Sequence, residues 1–241
     1  MVHFLYALAA VVVSVQLSSF ATSIYLHRCL AHRGLYLNPL IALPMRLQLW
    51  LATGISPNEW VAVHRKHHRH TDVLGDPHSP VIEGLWHILL GNVYYYAREA
   101  RDPETVSTYA PDIGNNWLDR HALQYGAVGV TTGVALFMLL LGPIWGGIAF
   151  LAQAALYIMF SAVINGANHA VGYQNFENTA TNLRLVALLT AGEGLHNNHH
   201  AYPTSARFSI RRGEWDPSWP VVRTLEWMRL AKPLKVAPQV D

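Results

Sequence analysis

Two long stretches of this chain carry no Asp, Glu, Lys or Arg: Met1 to Leu26, and His121 to Phe176. A helix in water needs a polar face, and neither stretch can supply one with charges. A bilayer span needs roughly 20 apolar residues, so the first stretch holds one span. The second holds two, with a turn near Gly142-Pro143 and Gly146-Gly147. The expected spans are residues 3–26, 122–141 and 147–168. Charged residues make up only 13% of the chain, about half the typical share, which agrees with an integral-membrane protein. The first stretch reads as a span rather than a cleaved signal. It is longer than the ~7–15 apolar residues of such signals, and no basic segment precedes it.

Arg28, Arg33, Arg65, Lys66, Arg69, Arg98 and Arg101 all fall between the first and second spans. The positive-inside tendency puts this region on the cytoplasmic side. Residues 36–56 are apolar but interrupted by Pro39, Pro44 and Arg46, and they read as a helix lying in the interface. Residues 84–97, with three tyrosines at their end, read the same way. A short apolar helix is expected at Leu183 to Thr190, and an amphipathic one carrying Val221, Val222, Leu225 and Met228. The fold expected is therefore all-α: one domain over residues 1–241, an integral-membrane bundle of about three transmembrane helices plus interfacial helices, capped by a cytoplasmic histidine-rich domain.

The histidines carry the chemistry. His27-Arg-Cys-Leu-Ala-His32 stands at the end of the first span. On an α-helix a five-residue step turns about 140°, so these two imidazoles are expected to reach different parts of a binuclear site. His64-Arg-Lys-His67-His68 and His196-Asn-Asn-His199-His200 each have i, i+3, i+4 spacing. Positions so spaced share a helical face, so each triplet is expected to converge. His169 lies four residues after Asn165, on the same face.

Neutral imidazole is a good ligand for iron, copper, nickel and zinc. Eight clustered histidines plus His169 exceed what one ion accepts, so two metals are implied. A zinc hydrolase wants few ligands and an acidic base; redox iron with positions open to oxygen fits better. A single cysteine, Cys29, excludes an internal disulfide and a cysteine-ligated iron–sulfur cluster, so electrons must come from another protein. These residues point to an oxygen-dependent di-iron enzyme with a lipid-soluble substrate.

Three boxes, HRCLAH, HRKHH and HNNHH, occur in that order, with Glu59-Trp60 before the second and Gly75-Asp76-Pro77-His78 after it. With Asn165-Gly-Ala-Asn-His169 and Gly192-Glu193-Gly194 ahead of the third box, the chain resembles the membrane fatty-acid desaturases, in particular their Δ9 acyl-CoA and acyl-lipid branch. The resemblance covers roughly residues 20 to 232. It implies that His27, His32, His64, His67, His68, His169, His196, His199 and His200 ligate two iron ions, with Asn165 acting through a water. It also implies O2 as co-substrate, a saturated acyl chain held as acyl-CoA or acyl-lipid, and a cis double bond as product. Ferredoxin or a cytochrome b5-type protein would donate the electrons; no nucleic-acid partner is expected. The chain departs from animal relatives, which carry two spans before the first box where this one has one.

Among other residues, Asp72, Asp76, His78 and Glu193 are candidates to orient ligand imidazoles. Arg65 and Lys66 are candidates to meet a substrate phosphate, although such residues also simply mark the cytoplasmic face. Trp60 is a candidate to line an acyl tunnel. Two other functions fit the same histidines: a di-iron hydroxylase or ketolase of an alkane, sterol or carotenoid, and a metal transporter. Transport sites, however, sit near the midplane between broken helices.

Overall fold

The uncharged N-terminal stretch forms one rod. In the computed structural model, which describes residues 2–114 and 117–240, α1 (Val2–Ala21) runs on without a break into a π-helical segment (Thr22–Ala31). α7 (Gly126–Leu141) and α8 (Pro143–Asn165) form a hairpin about Gly142, whose positive φ of 81° suits glycine, with Pro143 opening α8. α1 packs on α8 through Ala7, Val11, Val15 and Ala149. Among the described residues, two helical stretches, Val2–Ala31 and Pro143–His169, are long and apolar enough to cross a membrane, while Gly126–Leu141 is a shorter apolar helix.

The middle helix starts four residues later than the sequence predicts, for a local reason. Residues Asp119–Leu123 form a separate π-turn, held to α2 (Pro39–Thr53) by the Arg46–Asp119 ion pair and by Trp50 Nε1 donating to the Tyr125 carbonyl at 3.1 Å. α2 then lies across α7 on a stripe of glycines. A Cβ on Gly129 would sit 2.4 Å from the Trp50 carbonyl oxygen, and one on Gly133 would sit 2.2 Å from that of Leu51. Small residues at such spacing let two backbones touch. Asn38 caps α2 by accepting from Leu40 N, and Gly54 ends it at φ 69°.

The histidine-bearing half is built from shorter pieces: α3 (Pro57–His70), α4 (Pro80–Glu83), α5 (Leu85–Ala100), α6 (Pro103–Tyr109), α9 (Arg184–Leu189), α10 (His196–Ala201) and α11 (Ser218–Trp227). α5 buries Ile88, Asn92 and Tyr95 while Trp86, Leu90 and Tyr94 stay exposed. The all-α expectation needs one correction. β1 (Leu35–Leu37) pairs antiparallel with β2 (Ala231–Pro233), Tyr36 opposite Lys232. The partner lies almost 200 residues away, so no local pattern announces it. This pair anchors the C-terminal segment beside the first histidine box.

Candidate metal centre

The π-helical segment sets the first two imidazoles. His32 N donates to the His27 carbonyl at 3.1 Å, an i to i+5 bond that closes one turn in five residues. His27 and His32 therefore share one side, with ring centroids 5.1 Å apart. The 140° divergence expected of an α-helix does not occur, because the backbone here is wound wider.

The two triplets also behave differently from expectation: neither converges on one point. His64 and His68 join His27, His32 and His199 in one group, while His67 joins His169, His196 and His200 in another. Within each group the candidate ligand atoms all lie within 4.8 Å of one another. α3 thus sends its i, i+4 pair to the first group and its i+3 histidine to the second. α10 does the reverse. A hundred-degree step per residue lets neighbouring histidines face two foci, and the two helices divide their triplets between them in opposite ways. Nε2–Nε2 separations are 2.9 Å for His27–His199, 2.7 Å for His32–His64, 2.9 Å for His68–His199 and 3.1 Å for His196–His200.

Carboxylates hold the far sides of these rings. His169 Nδ1 lies 2.8 Å from Asp72 Oδ2, which also accepts from Ser79 through its other oxygen. His67 Nδ1 lies 3.0 Å from both oxygens of Asp76, which also accept from Asp72 N and His78 N. His27 Nδ1 lies 2.5 Å from Glu193 Oε2. Burial alone would raise the pKa of each carboxyl, but the imidazole beside it, with Arg28 in the case of Glu193, pulls all three below their ordinary values. A carboxylate on Nδ1 fixes the N–H there and leaves the Nε2 lone pair facing inward. Buried among like groups, His32, His64, His68, His196, His199 and His200 are pushed well below the usual histidine range, so they stay neutral.

This arrangement fits two metal ions. Lone pairs about 3 Å apart repel unless a cation lies among them, and metal–nitrogen bonds of ~2.0–2.1 Å separate ligands at right angles by about 3 Å. His169 Nε2 is buried without a hydrogen-bond partner, as a group awaiting a ligand bond would be.

The fatty acid desaturase family model matches residues 3–216. The chain is 33% identical to the sn-2 palmitoyl-lipid 9-desaturase of Nostoc over 223 residues, covering 88% of this chain and 75% of that one. It is 31% identical to the sn-1 stearoyl-lipid 9-desaturase of Synechocystis over 219 residues, covering 88% and 66%. Against the acyl-CoA 5-desaturase of Anemone leveillei the figures are 33% over 236 residues, 92% and 69%.

The chain belongs to the fatty acid desaturase family. As a member of it, the protein is an oxidoreductase of lipid metabolism.

Below its histidines the desaturase has two chambers in series. The inner one, about 80 Å³, is bounded by His64, His67 and His196 and by Asn165. The outer one, about 350 Å³, lies between α2, α5, α7 and α8. Trp60, Tyr96, Tyr157 and Ser161 line both. Trp60 also stacks on His64, centroids 4.8 Å apart and planes 11° apart. Asn165 lines the inner chamber beside His64, His67 and His196, and its Nδ2 donates to Asn92 Oδ1 at 2.9 Å. His78 stacks on His67 at 4.6 Å, and burial pushes it down to about 3. Arg65 and Lys66, the candidate phosphate contacts, are engaged inside the desaturase. Arg65 donates to the carbonyls of Leu30, Ala31 and Tyr109 and pairs with Asp112, while Lys66 pairs with Glu99.

Several residues of the centre were not singled out from sequence. Arg28 is 1% exposed. Its guanidinium grips Asp216 through Nη2 at 3.0 and 2.9 Å, contacts Ser23 and Glu193, and stacks over Phe208. Asn197 and Asn198 of the third box hold α10 in place. Asn198 donates to Phe208 O and Glu214 and accepts from Asn175 and Asn182. The signal available was position: a polar residue inside a ligand motif on a very short helix.

Proposed function

We propose that this chain is an O2-dependent di-iron desaturase that introduces a cis double bond at the Δ9 position of a saturated fatty-acyl chain. The observation that carries this reading is the pairing of five and four imidazoles over a chamber that His64, His67 and His196 themselves line. His27, His32, His64, His68 and His199 would hold one ion, and His67, His169, His196 and His200 the other, with Asn165 reaching the second through a water. Two irons bound there would supply the one-electron redox steps and oxygen activation that oxidation of an unactivated methylene pair requires. The balance is one O2, two electrons and two protons added, with two hydrogens leaving adjacent carbons and two waters formed. The electrons come from a separate ferredoxin or cytochrome b5-type donor.

The protein's own work is positioning. Asp72, Asp76 and Glu193 orient their imidazoles, Arg28 holds Glu193 against His27, and Trp60 braces His64. The chamber walls exclude water and hold one carbon pair under the imidazoles. We read residues 1–241 as one domain with three membrane crossings, the shorter α7 included, and the histidines on the cytoplasmic side. The relatives named for desaturation at carbon 9 support the regiochemistry.

Expression in a desaturase-deficient bacterial or yeast host, with mass spectrometry of derivatised fatty acids, tests this reading. A new unsaturated acid, absent from the His199→Ala variant, is the expected result. An added hydroxyl in place of a double bond would make the chain a hydroxylase instead.

A further inference from the structure

We propose that Asp216 is a positioning residue of the metal centre: by holding the Arg28 guanidinium it leaves Glu193 free to orient His27, and so it governs the five-imidazole group and not the four-imidazole one. The inference rests on the two-metal reading above and adds a residue that acts two contacts away from the imidazole.

Arg28 lies between two buried carboxylates and treats them unequally. Its Nη2 donates to both oxygens of Asp216, at 3.0 and 2.9 Å. Its Nη1 stands 3.5 Å from Glu193 Oε1 and donates instead to Ser23, at the hydroxyl and at the carbonyl. Its Nε donates to the Ala206 carbonyl at 3.1 Å. A guanidinium has five N–H groups, and each of these has an acceptor nearer than Glu193.

Glu193 is therefore left to His27. Its Oε2 lies 2.5 Å from His27 Nδ1, and its Oε1 accepts from Ser23 Oγ at 2.5 Å. Away from water, a guanidinium and a carboxylate draw together strongly. Asp216 is fully buried, so no solvent replaces its charge. Without that charge, the strongest acceptor within reach of Arg28 is Glu193, and an oxygen given to Arg28 is withdrawn from His27.

The backbone is shaped round this pair. Gly192, next to Glu193, has φ +99°, and a Cβ there would stand 2.3 Å from Asp216 Oδ1 and 3.1 Å from Arg28 Nη2. Phe208 N donates to Asp216 Oδ2 at 2.8 Å, and the Phe208 ring lies against His27 and His199, with centroids 5.3 and 4.7 Å away. Asp216 thus reaches two imidazoles of the same group by separate routes. The other group is oriented from the loop after α3, by Asp72 on His169 and Asp76 on His67.

The test titrates metal-free full-length protein in detergent with cobalt(II) against a competing chelator. Wild type is expected to bind two ions. Asp216→Asn keeps the shape and removes the charge; it should weaken one ion by about tenfold and leave the other unchanged. In the His169→Ala background, where the five-imidazole group holds the tighter ion, Asp216→Asn should weaken that ion. In the His27→Ala background it should leave the ion of the four-imidazole group alone. Arg28→Gln combined with Asp216→Asn should recover part of the loss, since a released guanidinium draws on Glu193 and a glutamine carries no such charge. Weakening of both ions together marks a residue that only holds the fold and overturns the inference, as does an unchanged affinity for both. A double variant that binds more weakly than Asp216→Asn overturns the competition for Glu193. Folded wild-type protein that binds no cobalt overturns the two-metal reading itself.

Discussion

The Nε2 atoms of His27 and His199 lie 2.9 Å apart, although 172 residues separate them in the chain. The same His199 nitrogen lies 2.9 Å from that of His68. This one side chain from α10 therefore joins imidazoles of the first and second histidine boxes in one group.

Replacing it should be felt in metal content before anything else. His199→Ala is expected to lower bound iron from two ions per chain toward one and to abolish product. The fold should persist, because the Asn197 and Asn198 contacts that hold α10 remain. Elemental analysis of purified protein beside its far-UV circular dichroism checks this. Two irons retained in the variant would remove His199 from the ligand set.

Asp76 acts one bond further out. Its carboxylate accepts hydrogen bonds from His67 Nδ1 and two backbone amides, so Asp76→Asn keeps the shape but loses the charge that favours the inward lone pair. Metal affinity should fall about 10–100-fold. Competition against a chromophoric chelator measures it, and an unchanged affinity would leave Asp76 with a structural role in its loop alone.

Acid should destabilise the metal-free protein in a definite window. His32, His64, His68, His196, His199 and His200 have folded pKa values well below 6.5. The unfolded chain keeps values near 6.5 and so binds more protons than the folded one below that pH. Stability is full above about pH 6.5 and is lost progressively as the pH falls toward the folded values. Melting temperatures of chelator-treated protein between about pH 8 and pH 5 should decline across this range. A flat profile would contradict the neutral, mutually repelling cluster.

Gly133 tests the contact between α2 and α7. A Cβ there would stand 2.2 Å from the Leu51 carbonyl oxygen and 2.9 Å from Phe150. Gly133→Val must push the helices apart, at a cost of about 1–3 kcal/mol or more. Thermal aggregation in detergent should begin at a lower temperature, with metal ligands untouched. An unshifted onset would show that α2 can yield at that point without loss.

Much of the centre is legible in the sequence because imidazoles that bind together here also stand together in the chain. What the spacing cannot tell is which of the two groups each histidine joins. That depends on the wider winding of Thr22–Ala31 and on how the fold brings α3 and α10 together. The partners of Arg28 and Arg65 are not legible in the sequence, since a count of cations does not distinguish a buried guanidinium with partners from a solvated one. The late start of α7 follows from a pairing of Asp119 with Arg46, a contact between segments that no window on either one contains. The strand pair was hidden for the same reason.

The exchange of histidines between α3 and α10 has a consequence for the life of the chain. Neither group can be completed by one segment: once loaded, each ion would tie residues from the first third of the protein to residues near its end, as His68 and His199 are tied across 131 positions. In a chain with a single cysteine, the metals then do what disulfides do elsewhere, stapling distant segments shut. Ligands that bind only the folded state stabilise it by mass action. The amount of intact enzyme in a cell would therefore follow its iron supply, through unfolding and proteolysis as well as through lost turnover.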